Sequence, residues 1–250
     1  MSERAAADDT SLSAPAAMPE VSPPRGSVRS AGASAEQRVC ARTRVGTNVS
    51  LFEGIPKDQP EGPKMPLIPY VDESKLSEES RKLLHRGRVT MNIARMVANS
   101  EAAFYPFSKM GNSLMTRAKL DAKLRELAIL RTAKVSRSVY EWTQHVPIAL
   151  AVGVTEDQIA AMDNPAGAKC FTDLERLVLE FTEQVARDVK GSPKTLAELK
   201  KHLGPAELVE LILSIGFWGM VARLLETAEV ELEEFAGKIN LLGDFKAASR

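Results

Sequence analysis

From Met65 onward, apolar residues return every three or four positions, the spacing of one helical face. Leu174, Leu177, Val178 and Phe181 form one such stripe, and Leu208, Leu211, Ile212 and Ile215 form another. Helix starts are written between the stripes. Thr155 with Gln158, and Thr172 with Glu175, have capping-box spacing, in which a hydroxyl and a side chain three residues on satisfy each other's unpaired amides. Ser192–Pro193 sets a capping hydroxyl before a proline suited to a first helical turn, and Gly204–Pro205 closes one helix and opens the next. These signals predict helices over 77–86, 90–98, 101–116, 121–136, 138–152, 156–163, 173–189, 193–203 and 206–235. No segment alternates with period two between hairpin turns. The expected fold is all-α: a compact multi-helix bundle of eight or nine helices over residues 63–236, followed by a C-terminal tail at 237–250.

Residues 1–62 have a different composition, rich in Ala, Ser, Pro and Gly with few large apolar side chains. Such a segment buries too little apolar surface to offset its ordering entropy, and a disordered tail is expected. Arg25, Arg29, Arg38, Arg42 and Arg44 among serines suggest an organelle transit peptide, but Glu3, Asp8, Asp9, Glu20 and Glu36 break the acid-poor pattern of one. With no apolar signal region near Met1, the cytoplasm is the expected compartment.

Charge narrows the partners. The 33 basic and 33 acidic residues balance and are interspersed, so no nucleic-acid footprint is expected. No apolar run approaches the roughly 20 residues of a membrane span, and no membrane partner is expected. Two distant cysteines, Cys40 and Cys170, give no disulfide framework and no metal-binding spacing.

Three ionisable residues fall where chemistry is plausible. Glu126 is followed at plus three, four and seven by Ile129, Leu130 and Ala133, so its own helical face is apolar. Glu141 and His145 are one turn apart on the next helix. Antiparallel packing of the two helices would bring all three together. A carboxylate beside an imidazole fixes its tautomer and raises its pKa, which suits proton transfer near neutrality. Structural roles are equally open: Ser138 and Glu141 have capping-box spacing, Glu126 can pair with Lys123 at the surface, and His145 can be a core residue. Pro147 interrupts the same helix just after His145.

Residues 124–131, Leu-Arg-Glu-Leu-Ala-Ile-Leu-Arg, and 140–149, Tyr-Glu-Trp-Thr-Gln-His-Val-Pro-Ile-Ala, resemble the carboxymuconolactone decarboxylase superfamily, which includes the alkyl hydroperoxide reductase D (AhpD)-type peroxidases. The resemblance continues through 153–159 and, more loosely, 215–223, and spans about residues 66–235. In the peroxidase branch a glutamate precedes a CxxC pair, and a histidine lies four residues beyond the second cysteine. Glu126 and His145 match that glutamate and histidine, while Ser138 and Glu141 occupy the cysteine positions. Neither residue can cycle through a disulfide, which removes the dithiol peroxidase reaction.

The resemblance therefore implies the decarboxylase-type branch: a small organic acid or lactone as substrate, no cofactor, and aromatic-compound catabolism as the setting. Electrons left by departing carbon dioxide spread into the substrate's own unsaturated carbonyl, and the protein stabilises the enolate and delivers one proton. The expected catalytic residues are His145 as proton donor, with Glu141 or Glu126 orienting it. Ser138, Trp142, Arg131 and Arg223 are the candidates to bind substrate, with Trp218 as a second possible wall. No metal is expected from one histidine and two carboxylates. A homo-oligomer, a trimer or a dimer of trimers, is implied as well. Two alternatives stand beside this reading. One is a thiol peroxidase-like activity using Cys170, which lies just before the helix cap at Thr172. The other is a non-catalytic helical oligomer.

Overall fold

The computed structural model describes residues 65–238 and Leu241, all within one structural unit. The disorder expected for 1–62, Cys40 and most of the tail at 237–250 lie outside the described residues. Nine α-helices follow in order: α1 Glu78–Leu84, α2 Asn92–Val97, α3 Glu101–Thr116, α4 Ala122–Ser136, α5 Val139–Ala151, α6 Glu156–Ala160, α7 Asp173–Asp188, α8 Pro193–Leu199 and α9 Pro205–Ala228. Among the described residues there is no strand. The fold is all-α, as the periodicity predicted.

The starts form where the polar signals stand. Thr155 and Thr172 cap α6 and α7 through complete capping boxes. Asp121 accepts from the Lys123 and Leu124 amides at the head of α4, and Ser192 accepts from Thr195 at the head of α8. Each such cap contributes roughly 1 kcal/mol by pairing amides that the first turn leaves open.

Helix α4 is the axis of the bundle, packed against α5, α7 and α9. Every residue from Leu124 to Ala133 is buried, charged ones included. Leu127, Leu130, Leu179, Phe181, Leu211 and Ile215, all essentially inaccessible, make the core between α4, α7 and α9. A helix enclosed on all sides can carry charge only where each charged group finds a partner inside, which is what makes α4 informative about the site.

Two expectations need correction. The last helix was predicted to run to residue 235, yet α9 ends at Ala228. Glu229 takes the left-handed conformation (φ 50°), and the Leu67 amide donates to the freed Ala228 carbonyl at 2.8 Å. Beyond it, Asn92 Nδ2 donates to the Glu231 carbonyl at 3.0 Å, while the Glu233 carboxylate accepts from Tyr140 and Gln144. These tertiary bonds outweigh the helix propensity of a Glu-rich stretch. The second correction concerns α9 itself, which by length and composition is apolar enough to cross a membrane. Half of its most apolar stretch is buried in the bundle, as in a core helix. Pro147 lies inside α5, which continues through it to Ala151.

Candidate active site

The α4–α5 connection sets the site. Arg137 turns left-handed (φ 57°) and the Ser138 amide returns to the Ala133 carbonyl at 2.9 Å, closing α4 and starting α5 back along it. Glu126 and His145 thereby meet: Glu126 Oε2 lies 2.8 Å from His145 Nδ1. Both side chains are buried, Glu126 completely. Arg125 Nε stands 3.4 Å from Glu126 Oε1, giving the buried carboxylate a second partner. From α9, the Trp218 indole N–H donates to His145 Nε2 at 2.7 Å. An indole nitrogen only donates, so Nε2 is unprotonated in this arrangement and Nδ1–H donates to Glu126. The imidazole is held in one orientation from both edges, and while the indole bond stands, in one tautomer.

Glu141 completes the group, its Oε2 3.5 Å from His145 Nε2. Burial pushes its carboxyl up to about 7; His145 opposes this, and the Glu126 and Glu226 charges add to it. For His145, burial presses the pKa down, but the Glu126 charge, its hydrogen bond and the Glu141 charge together carry it above the ordinary histidine value. Both groups therefore hold a proton more readily than their free counterparts. A proton can reach Nε2 only when the indole bond is released, with the imidazolium then facing Glu141.

Three specific structural roles are not the ones these residues play. Ser138 makes no side-chain cap, so Glu141 is not the second half of a capping box. Lys123 pairs with Glu175 at 2.6 Å, not with Glu126. His145 has side-chain partners on both nitrogens and no backbone partner.

Tyr140, Glu141, Gln144 and His145 form part of the wall of a cavity of about 460 Å³, between α5, α9 and the α1–α3 region. That volume suits a small organic molecule. Phe104, Phe107, Phe217 and Trp218 make much of its surface apolar and aromatic, and Phe217 meets Phe107 at a tilt and Trp218 edge to face, with centroids 5.1 Å apart in each pair. Gly111 leaves room for that ring, since a Cβ there would lie 3.0 Å from Phe217 Cζ. Arg86, Lys109 and Arg117, all exposed, bring positive charge to the same cavity.

The four expected substrate-binding residues lie elsewhere. Arg131 is buried, donating to the Met162 carbonyl at 2.7 Å and to Glu183 at 2.5 Å, so it ties α4 to α7. Arg223 donates to the Gly219 carbonyl on its own helix and borders a separate cleft with Glu226. Trp142 packs in the main core, with Lys134 over its ring at 4.2 Å. Ser138 is buried, and the pocket wall does not include it. In their place the cavity presents Trp218, Tyr140, Gln144 and the three cations. Cys170, the one cysteine among the described residues, points its Sγ toward the Asp157 carbonyl and is not part of this wall. Both imidazole nitrogens are engaged by side chains, so His145 offers no open lone pair to a metal; no metal-holding cluster occurs among the described residues.

Residues 101–184, which contain Glu126, Glu141 and His145, match the model of the carboxymuconolactone decarboxylase family. Over that segment the chain is similar to the family, and the described helical domain has an AhpD-like fold. Its fold is similar to that of an uncharacterized peroxidase-related protein from Silicibacter sp. TM1040, with TM-score 0.60 and 16% identity over 70% of this chain and 98% of that one. A second peroxidase-related protein with an AhpD core, from Ralstonia eutropha JMP134, gives TM-score 0.59 and 17% identity, covering 71% and 98%. A variant of the debrominase Bmp8, in complex with 2,3,4-tribromopyrrole, gives TM-score 0.54 and 13% identity, covering 63% and 85%. No curated protein matches the chain. At these identities the neighbours show the fold alone and leave the reaction to the site. The family match ends before α9, so Trp218 and Glu233 are contributed by a part of the chain outside it.

Proposed function

We infer that this domain is a cofactor-free acid/base enzyme that decarboxylates or isomerises a small, conjugated organic acid or lactone. The observation that carries this reading is the buried Glu126–His145–Glu141 array at an aromatic cavity, with Glu141 near 7. A group that titrates close to working pH can both hold and release a proton, typically contributing about a hundred- to ten-thousand-fold in rate.

In a decarboxylation the bond between the substrate carbon and its carboxylate breaks. Its electron pair moves into the conjugated carbonyl to form an enolate, and carbon dioxide leaves. The carbon then takes one proton from Glu141 or from Nε2 of His145, and solvent restores it. Glu126 accepts from Nδ1 throughout and stabilises the imidazolium whenever it forms. Arg86, Lys109 and Arg117 supply the charge that draws an anionic substrate to the cavity, a role the sequence reading gave to Arg131 and Arg223. A thiol peroxidase-like reaction lacks a cysteine in this wall.

The test is a panel of small unsaturated acids and lactones, assayed for carbon dioxide release and for isomerisation. Turnover that falls at least about a hundredfold in His145→Ala, with the fold retained, supports the reading. Turnover indifferent to His145 overturns it.

A further inference from the structure

Glu233 lies beyond the end of α9, and its carboxylate collects three donors: the Asn92 backbone amide at 2.5 Å, the Tyr140 hydroxyl at 2.5 Å and Gln144 Nε2 at 2.6 Å. An ionised carboxylate only accepts, so the Gln144 amide has one allowed orientation, with its NH2 on Glu233. Its carbonyl oxygen, Oε1, is left buried and without a hydrogen-bond partner in a residue of the cavity wall that is only 4% exposed. The neighbouring Tyr140 hydroxyl is already filled, donating to Glu233 and accepting the Ile93 amide at 3.3 Å. Tyr140 therefore cannot relieve Gln144. A buried acceptor left open is costly unless something binds to it.

We propose that the ligand of this cavity carries a neutral hydrogen-bond donor, an O–H or N–H on an aromatic or conjugated ring, which Gln144 Oε1 receives. Glu233 makes the demand specific: by holding the NH2, it leaves the amide only its oxygen to offer a ligand. Gln144 is thus a specificity residue and Glu233 a positioning residue acting through it. The aromatic wall of Phe104, Phe107, Phe217 and Trp218 receives the ring. The proposal rests on this cavity being the substrate site, and narrows the organic acid or lactone to one bearing such a donor. A site built to accept from a substrate donor discriminates strongly against the analogue that lacks it.

The experiment measures binding, not turnover, on the full chain. Dissociation constants are obtained by ligand-observed NMR for phenol against anisole, 4-hydroxybenzoate against 4-methoxybenzoate, and pyrrole against N-methylpyrrole. The wild type is expected to prefer the donor member of at least one pair by about tenfold or more. The oxygen and nitrogen pairs tell which donor the site takes. Gln144→Met keeps the bulk and removes the acceptor, and the ratio should fall to within about threefold. In Glu233→Gln, residue 233 can itself donate to Gln144 Oε1, which lets the Gln144 NH2 face the cavity; the preference should then vanish or pass to the ether. Melting temperatures confirm that both variants fold. Equal affinities within every wild-type pair, a preference that survives Gln144→Met, or no binding of any probe would each overturn the proposal. Because no turnover is required, turnover left unchanged by His145→Ala would sink the acid/base reading while leaving this result standing, and the reverse holds equally.

Discussion

Replacing Glu141 by Gln should stabilise the protein at alkaline pH and do little in acid. The side chain is buried, and its carboxyl is lifted from an ordinary 4.5 to about 7. Between those values the unfolded chain ionises this group and the folded chain resists, so the folded state binds more protons. Stability therefore falls as pH rises through the window and levels off above about 7. The gap, at about 1.4 kcal/mol per pH unit, amounts to about 3.5 kcal/mol at most, and coupling to His145 reduces it. His145, also raised, loses its contribution in the same direction. Glutamine has nearly the same shape and cannot ionise. Its advantage over the wild type should thus be small near about pH 5 and grow by about 2 kcal/mol near about pH 8.5. For a domain of this size that corresponds to a Tm difference of about 4–8 °C. Urea unfolding of both proteins at the two pH values, with unchanged m, is the assay. An advantage that is absent, or equal at both pH values, would refute the claim that Glu141 is a buried carboxyl poised near neutrality.

Other outcomes follow from the same geometry. Blocking Cys170 with a thiol reagent should leave turnover intact, because the thiol is not part of the cavity wall; activity lost on alkylation and restored by reductant would contradict this. Arg117→Gln and Lys109→Gln should raise KM for an anionic substrate about two- to tenfold with kcat nearly unchanged, as loss of uniform binding does. Arg131→Gln should instead cost about 1–3 kcal/mol of stability, read by urea unfolding, since it breaks a buried link to Met162 and Glu183; a KM effect there without destabilisation would reverse the assignment. Val209, Ile212, Leu213 and Met220 are exposed along α9, and the chain is expected to bury them by self-association as a trimer or hexamer. Light scattering that gives a monomer at micromolar concentration would dismiss that expectation.

Much of the scaffold can be read from the chain because its signals are local. Thr155, Thr172, Ser192 and Asp121 cap helices through residues two or three positions away, and no distant contact is needed to place them. The end of α9 is different. The residues after Ala228 read as helix, and what stops them is Glu233 bonding to residues 93 and 89 positions back. Glu126, Glu141 and His145 were legible because a helix repeats every three or four residues and the three share facing sides. The same geometry argues against Trp142, which is one position from Glu141 and points about 100° away around α5. It also points to Gln144, three residues on from Glu141 and on the same side. The cations are a different case. Arg131 and Arg117 are chemically alike in the sequence; whether a guanidinium meets Glu183 or a cavity is decided by tertiary packing alone. Trp218 could not be told from a core aromatic until α9 was set against α5.

The central claim, that the Glu126–His145–Glu141 array delivers a proton to substrate carbon, is tested most directly by running the reaction in deuterium oxide and examining the product by NMR. The account predicts one deuterium at the carbon that gains a proton, in a single configuration, formed at a rate that falls at least about a hundredfold in His145→Ala. Product without deuterium, or deuterium in both configurations at a rate that ignores His145, would contradict it.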